Sequence, residues 1–234
     1  MKKDFVFRRV EKKYILTDSQ YQTFLERIAP YMQLDEFGLH TICNIYYDTE
    51  DNVLIYRSID KPVYKEKLRL RTYGVPNQNS EAFIEIKKKY KGVVYKRREV
   101  MPLLEAEDFL NRGVYPQKDS QILREIAYFM NFYQPVPKIC LVYEREAYLG
   151  REDHDFRLTI DHNIRSRYEE LSLAAGDYGE TYFKENEKLL EIKINSAMPL
   201  WLSKVLTELE IYPISFSKYG RFYEKENHKE KALS

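Results

Sequence analysis

Residues 65–73 read KEKLRLRTY, and this stretch decides how the whole chain is interpreted. Successive side chains of a β-strand point to opposite faces of a sheet, so Lys67, Arg69 and Arg71 share one face. Leu68 and Leu70 share the other. This alternation predicts a strand with one buried face. Its polar face is unusual, because it carries a row of cations instead of polar residues of mixed kind.

The same pattern recurs in six further segments that are predicted to be strands. These segments lie around residues 9–15, 83–89, 94–100, 139–149, 156–165 and 189–194. The polar faces together carry the cations Lys13, Lys67, Arg69, Arg71, Lys87, Lys89, Lys96, Arg98, Arg145, Arg157, Arg165 and Lys193. Their only acids are Glu11, Glu85, Asp161 and Glu191. If these faces were enclosed, an anion would have to balance the excess of cations, because burying unpaired charge is costly.

Two arrangements of these strands are compatible with the pattern. In one, the charged faces are the solvated outer faces of a sandwich. In the other, they line the interior of a barrel of about eight strands, which is wide enough to enclose a ligand. Apolar spacing and end signals predict helices over residues 18–29, 105–112, 120–132 and 198–209. These helices need an apolar surface to pack on, and the Leu/Ile faces of a barrel would supply it.

Composition limits the class of protein. The chain has 234 residues, of which 44% are hydrophobic and 32% charged, which is typical of one globular domain. A net charge of +1 argues against nucleic acid as the partner. Two cysteines, Cys43 and Cys140, indicate a reducing compartment, and no apolar stretch has the ~20 residues that span a bilayer. We therefore expect a cytoplasmic protein with one domain over residues 1–226, no membrane span of its own, and a frayed tail over residues 227–234.

Short motifs throughout the chain resemble the triphosphate tunnel superfamily, also called CYTH-like. They are FRRVEKKY (7–14), YYDT (46–49), LRLR (68–71), EIK (85–87) and LEIK (190–193). The motifs YER (143–145) and SFSKY (215–219) resemble more narrowly the VTC domain, the polyphosphate polymerase catalytic domain of the vacuolar transporter chaperone complex. The resemblance runs from about Phe5 to Tyr223. It implies an α+β fold in which about four helices flank an antiparallel eight-stranded tunnel barrel with a basic interior.

The resemblance also implies roles for individual residues. The cations assigned to catalysis are Lys13, Arg69, Arg71, Lys87, Arg145 and Arg157. Further phosphate contacts are assigned to Lys96, Arg98, Tyr143, Lys193, Ser217 and Lys218, and the strand pattern adds Arg9 and Lys89. Glu191 is the expected ligand of a divalent metal, Mn²⁺ or Mg²⁺. Glu11 is either a second ligand or a partner that fixes Lys13, whereas Glu85 and Asp161 are expected to orient cations.

The first strand departs from the hydrolases of the superfamily. Those enzymes typically carry Glu-x-Glu-x-Lys there, and this chain has Arg9, Glu11 and Lys13 at those positions. Loss of one acid weakens activation of water and adds a phosphate contact, which favours a polymerase. We expect a metal-dependent phosphotransferase that moves the γ-phosphate of ATP onto a growing polyphosphate chain. The alternatives are a triphosphatase and a non-catalytic polyphosphate-binding module, and delivery of product across a membrane would require a separate membrane partner.

Overall fold

The computed structural model describes residues 10–60, 62–91, 93–181, 183–184, 186–194 and 197–233, with the side chains of residues 10 and 226–233 excepted. Its strands are β1 (Val10–Thr17), β2 (Met32–Leu34), β3 (His40–Asp48), β4 (Tyr64–Tyr73), β5 (Glu81–Tyr90), β6 (Val93–Pro102), β7 (Val136–Gly150), β8 (Arg157–Arg167), β9 (Glu180–Thr181) and β10 (Glu187–Ile194). Its α-helices are α1 (Asp18–Ile28), α2 (Val53–Ile59), α3 (Leu103–Arg112), α4 (Gln121–Tyr133), α5 (Leu200–Glu208) and α6 (Lys218–Leu233).

The strands form an antiparallel sheet, as the sequence predicts. Hydrogen bonds connect them in the order β1-β10-β8-β7-β3-β4-β5-β6, with β2 on β7 and β9 on β8. The eight strands of this order agree with the predicted count of about eight, and β2 and β9 add two strands that are too short to show a period. The prediction of about four helices missed two: α2 is only seven residues long, and α6 begins in a segment that shows no strong apolar spacing. Among the described residues the order has two ends, β1 and β6, so the sheet is not closed.

The chain divides into two compact units. Unit 1 comprises Met1–His40, Glu144–Ile164 and Phe183–Phe216, and unit 2 comprises Thr41–Tyr143, Arg165–Tyr182 and Ser217–Ser234. The expected single domain over residues 1–226 stays a prediction. The backbone of α6 continues to Leu233, through most of the segment that was expected to fray.

The core of unit 1 lies between its helices and one face of its strands. Thr17 ends β1 and caps α1 in a capping box with Gln20, as their spacing predicts. The buried side chains of α1 and α5, including Phe24 and Leu202, pack against the apolar residues of β1, β8 and β10. Burial of this face leaves the opposite face of the same three strands for polar side chains.

The core of unit 2 has the same organisation. Leu68 and Leu70 of β4 are fully buried together with Ile84 and Ile86 of β5. The buried residues of α3 and α4, such as Phe129, pack on them. The prediction that the helices cover the Leu/Ile faces is confirmed in each unit. Cys43 and Cys140 are buried free thiols of this unit.

None of the helices in the described parts of the chain is both long and apolar enough to cross a membrane.

Candidate functional site

Unit 2 carries a polar surface that we call the arginine face. It consists of Asn44, Tyr46, Lys67, Arg69, Arg71, Glu85, Lys87, Lys96 and Arg98. The register explains why these residues share one face: Arg69 lies opposite Tyr46 on one side and Glu85 on the other, and Glu85 lies opposite Arg98. Six of these side chains are cationic and one is acidic.

Glu85 is the central anion of the arginine face. Its side chain is 1% exposed and lies 2.5 Å from Arg69 Nε, 2.5 Å from Lys96 Nζ and 3.9 Å from Arg71 Nε. Burial alone would raise the pKa of the Glu85 carboxyl, but the three cations outweigh it and lower the pKa to about 2. Glu85 is therefore ionised near neutral pH and orients cations, as the sequence predicts.

Arg71 is the most deeply buried cation of this face. It is 5% exposed, its Nε donates to Asn44 Oδ1 at 2.8 Å, and its Nη2 donates to the Tyr143 hydroxyl at 3.2 Å. Asn44 is itself fixed, since its amide donates to the Leu141 carbonyl at 3.0 Å. A guanidinium held in this way presents a fixed orientation, which suits planar recognition of phosphate oxygens.

The start of α6 adds further polar groups beside the arginine face. Lys67 Nζ donates to Ser217 Oγ at 3.2 Å, and Lys218 Nζ lies 4.8 Å above the centre of the Tyr143 ring. Ser217 Oγ also accepts from the Gly220 amide at 3.3 Å, so it caps the first turn of α6. The structure thus brings the predicted residues Ser217, Lys218 and Tyr143 close to the predicted cations of β4.

Asp48 fixes the position of this helix start. Its buried carboxylate accepts from the amides of Leu54 and Ile55 at 2.8 and 2.9 Å, and from the Tyr219 hydroxyl at 3.1 Å. The same side chain therefore caps α2 and anchors the first turn of α6 to the end of β3.

Other predicted phosphate contacts of unit 2 are more accessible than Arg69 and Arg71. Lys87, Lys89 and Arg98 are exposed, and Lys87 lies opposite both Lys67 and Lys96. The Lys96 side chain is 43% exposed. Desolvation lowers the pKa of the Lys96 ammonium to about 8; Glu85 opposes this shift, and Arg69 and Arg71 add to it.

Unit 1 carries a second polar surface, the carboxylate face. It consists of Glu11, Lys13, Arg145, Arg157, Thr159, Asp161, Glu191 and Lys193. Lys13 Nζ lies 3.3 Å from Glu11 and 3.3 Å from Glu191, so one ammonium contacts both carboxylates. Four cations and three acids nearly balance each other here.

Arg145 and Asp161 form the closest ion pair of the carboxylate face. The guanidinium donates from Nε and Nη2 to the two carboxylate oxygens at 2.6 and 2.8 Å, and its Nη2 lies 3.8 Å from Glu191. Asp161 therefore orients Arg145, as predicted. Lys193 is half-buried, and desolvation lowers the pKa of its ammonium although Glu191 opposes the shift. Arg157, which lies opposite Lys193, is exposed.

The oxygens around Lys13 fit a divalent metal that is shared with a substrate. Glu191 lies opposite Thr159, whose buried hydroxyl has no hydrogen-bond partner among the described residues. Carboxylate and hydroxyl oxygens are hard donors, and Mg²⁺ is usually held by one or two carboxylates together with substrate phosphates and water. No group of three or more Asp, Glu, His or Cys side chains within the described ranges forms a complete metal site. A metal held by Glu191 and Glu11 would therefore complete its coordination with water or with phosphate oxygens.

The sequence analysis missed several residues of these faces, and one residue that it predicted is not described by the structure. Arg9, a predicted phosphate contact, lies outside the described residues. Asn44 and Tyr46 of β3 were not among the predicted contacts. Extending the period of two along that strand would have paired them with Arg71 and Arg69.

Comparisons with known proteins agree with this architecture. A family model described as the VTC domain matches residues 8–226. A candidate adenylate cyclase from Bacillus halodurans is similar in structure with a TM-score of 0.56 and 14% identity, over 89% of this chain and 93% of that one. A candidate adenylyl cyclase from Hippeastrum, described as having a dominant triphosphatase activity, has a TM-score of 0.55 and 16% identity, over 93% and 96% of the two chains. Comparison with curated proteins gives no match.

Proposed function

Because the chain belongs to the VTC domain family and has the CYTH-like tunnel fold, we propose that it is a metal-dependent phosphotransferase that acts on triphosphate groups. In the finer form of this proposal, the terminal phosphate of a polyphosphate chain attacks the γ-phosphate of ATP. The new P–O bond forms as the bond between the β–γ bridging oxygen and the γ-phosphorus breaks, and ADP leaves.

The arginine face is the single observation that carries this proposal. Phosphoryl transfer needs little covalent help from the protein, but it needs positioning and neutralisation of charge on the transferring group. Arg69 and Arg71 are held by fixed neutral or acidic partners, while Lys87 and Arg98 remain exposed beside them. Fixed guanidiniums next to accessible cations suit an extended polyanion better than a single carboxylate ligand.

The carboxylate face would supply the metal. Glu191 and Glu11 would hold Mn²⁺ or Mg²⁺, and Lys13 and Arg145 would contact the phosphate oxygens that complete its coordination. When bound, the metal supplies charge stabilisation on the transferring phosphoryl group. Arg145 is already oriented for this role by Asp161.

Triphosphate hydrolysis is the second candidate function, and the pairing of Glu11 and Glu191 favours it. Both carboxylates contact Lys13, so two acids lie close together, as an enzyme that binds a metal and orients water requires. Arg9 in place of a strand-one acid favours polymerisation instead. The residues of the first strand therefore favour both activities, hydrolysis through Glu11 and polymerisation through Arg9.

Purified protein supplied with ATP and Mn²⁺ separates the candidates. We expect phosphate polymers that a sizing gel resolves. Orthophosphate without polymers would show a hydrolase instead. Retention of added polyphosphate without turnover would show a binding module. A protein that neither turns over ATP nor binds polyphosphate or tripolyphosphate would contradict the proposal as a whole.

A further inference from the structure

Tyr46 and Tyr47 are neighbours in sequence that lie on opposite faces of β3. Tyr47 is 2% exposed and donates its hydroxyl to Asn111 Oδ1 at 3.1 Å, within the core of unit 2. Tyr46 is half-buried and lies directly opposite Arg69 on the arginine face. The strand therefore assigns one tyrosine to packing and the other to the candidate site.

The Tyr46 hydroxyl is half satisfied. Its oxygen accepts from Arg69 Nη1 at 3.0 Å, and no residue of the described chain accepts its own proton. Arg69 is thereby held at two edges, by Tyr46 at Nη1 and by Glu85 at Nε. The phenol can therefore fix Arg69 and still donate to a ligand.

The charges around Tyr46 favour an anion at this hydroxyl. Burial by itself would raise the pKa of the phenol, but Arg69, Arg71 and Lys67 outweigh burial and lower it. Tyr143 opposes this shift, and the ring of Tyr219 lies 5.4 Å from the ring of Tyr46. A phosphate oxygen placed beside these cations would also be an acceptor for the free O–H group.

We propose that Tyr46 is a phosphate-binding residue of the arginine face: its hydroxyl positions Arg69 and donates a hydrogen bond to a phosphate oxygen of the substrate. This inference rests on the proposed function and adds to it a contact from β3. It also explains why Arg69 needs no second acidic partner, since a neutral acceptor leaves the net positive charge of the face intact.

Tyr46→Phe and Tyr47→Phe form a matched pair for the test. Both remove one hydroxyl from the same strand and keep the ring. We expect Tyr46→Phe to weaken binding of inorganic tripolyphosphate about ten-fold, because a hydrogen bond to a charged group is lost. Tyr47→Phe should bind tripolyphosphate like the wild type and lower the melting temperature. Calorimetric titration and thermal unfolding measure the two effects.

The pH dependence separates a phosphate contact from a structural role. As the pH rises through the lowered pKa of Tyr46, the phenol loses the proton that it donates and becomes an anion. Wild-type affinity for tripolyphosphate should fall in this alkaline range, below the ordinary tyrosine value of 10.0. Tyr46→Phe should lack the step that Tyr46 causes. Both proteins should keep the separate step that Lys96 causes, because the pKa of its ammonium is about 8 in each.

The outcomes distinguish the inference from its premise. If the wild type does not bind tripolyphosphate, the proposed function fails. If the wild type binds it and Tyr46→Phe binds equally well at every pH, the inference about Tyr46 is wrong while the proposed function stands. A loss of affinity in Tyr47→Phe equal to that in Tyr46→Phe would also overturn it, because the effect would then be structural.

Discussion

The arginine face of unit 2 and the carboxylate face of unit 1 are built alike but charged differently. Each is the polar side of strands whose other side is packed against helices. The arginine face has six cations around the single acid Glu85, whereas the carboxylate face has four cations and three acids. The first carries five more cations than acids, and the second is nearly neutral as it stands.

Under the proposed function the two faces have different roles. The excess of fixed cations on the arginine face would bind phosphate, and the pair of carboxylates on the carboxylate face would hold a divalent metal. Each face also has an acid that forms an ion pair with an arginine. Glu85 and Asp161 each lie within 2.6 Å of a guanidinium nitrogen and so orient that side chain.

Removal of Arg69 should have the largest effect on turnover. We expect Arg69→Ala to reduce ATP or tripolyphosphate turnover by about 10² to 10³-fold, since a fixed donor to the transferring group is lost. Arg97→Ala is the matched control, because Arg97 is on the opposite side of β6 and contacts Glu125 at 3.3 Å. Normal turnover by Arg69→Ala would show that the arginine face is not the site.

Glu191→Gln should weaken metal binding on the carboxylate face about ten-fold or more. Asp161→Asn should leave the affinity for Mn²⁺ unchanged, since Asp161 is committed to Arg145. The free Mn²⁺ signal in electron paramagnetic resonance measures both variants without any turnover. Equal losses in the two variants would contradict the distinction between a ligand and an orienting acid.

Glu85→Gln should change how stability depends on acid. Because folding lowers the Glu85 pKa from 4.5 to about 2, the carboxylate stabilises the fold above pH 4.5, and this contribution disappears as the pH falls toward 2. The shift corresponds to roughly 3 kcal/mol. Urea unfolding should show wild type more stable than Glu85→Gln at neutral pH and the difference vanishing in this acid range. Added tripolyphosphate should restore part of the stability of Glu85→Gln. A difference independent of pH would contradict the ion-pair account.

The smallest expected effect concerns Lys96, whose side chain is 43% exposed. Its ammonium loses charge as the pH rises through about 8, so wild-type affinity for tripolyphosphate should fall a few-fold there. Lys96→Arg keeps its charge and should remove this step. Calorimetric titrations on both sides of this pH measure the change, and an unchanged step in Lys96→Arg would assign the titration to another group.

Much of this architecture was predictable because strand period is a local property. The alternation in residues 65–73 gives the faces of β4 directly, and Arg69, Arg71 and Glu85 lie where it predicts. Contacts between distant segments were not predictable from period alone. Asp48 meets Tyr219, and Lys67 meets Ser217, only because α6 returns to β3 and β4. Tyr46 was missed because a tyrosine in a strand fits packing and binding equally well.

A crystal structure with tripolyphosphate and Mn²⁺ tests the central claim most directly. The account predicts phosphate oxygens within hydrogen-bond distance of the Arg69 and Arg71 guanidiniums, and an anomalous manganese peak at Glu191. Phosphate bound instead at Lys12 and Arg97, on the opposite faces of their strands, with no metal at Glu191, would contradict it.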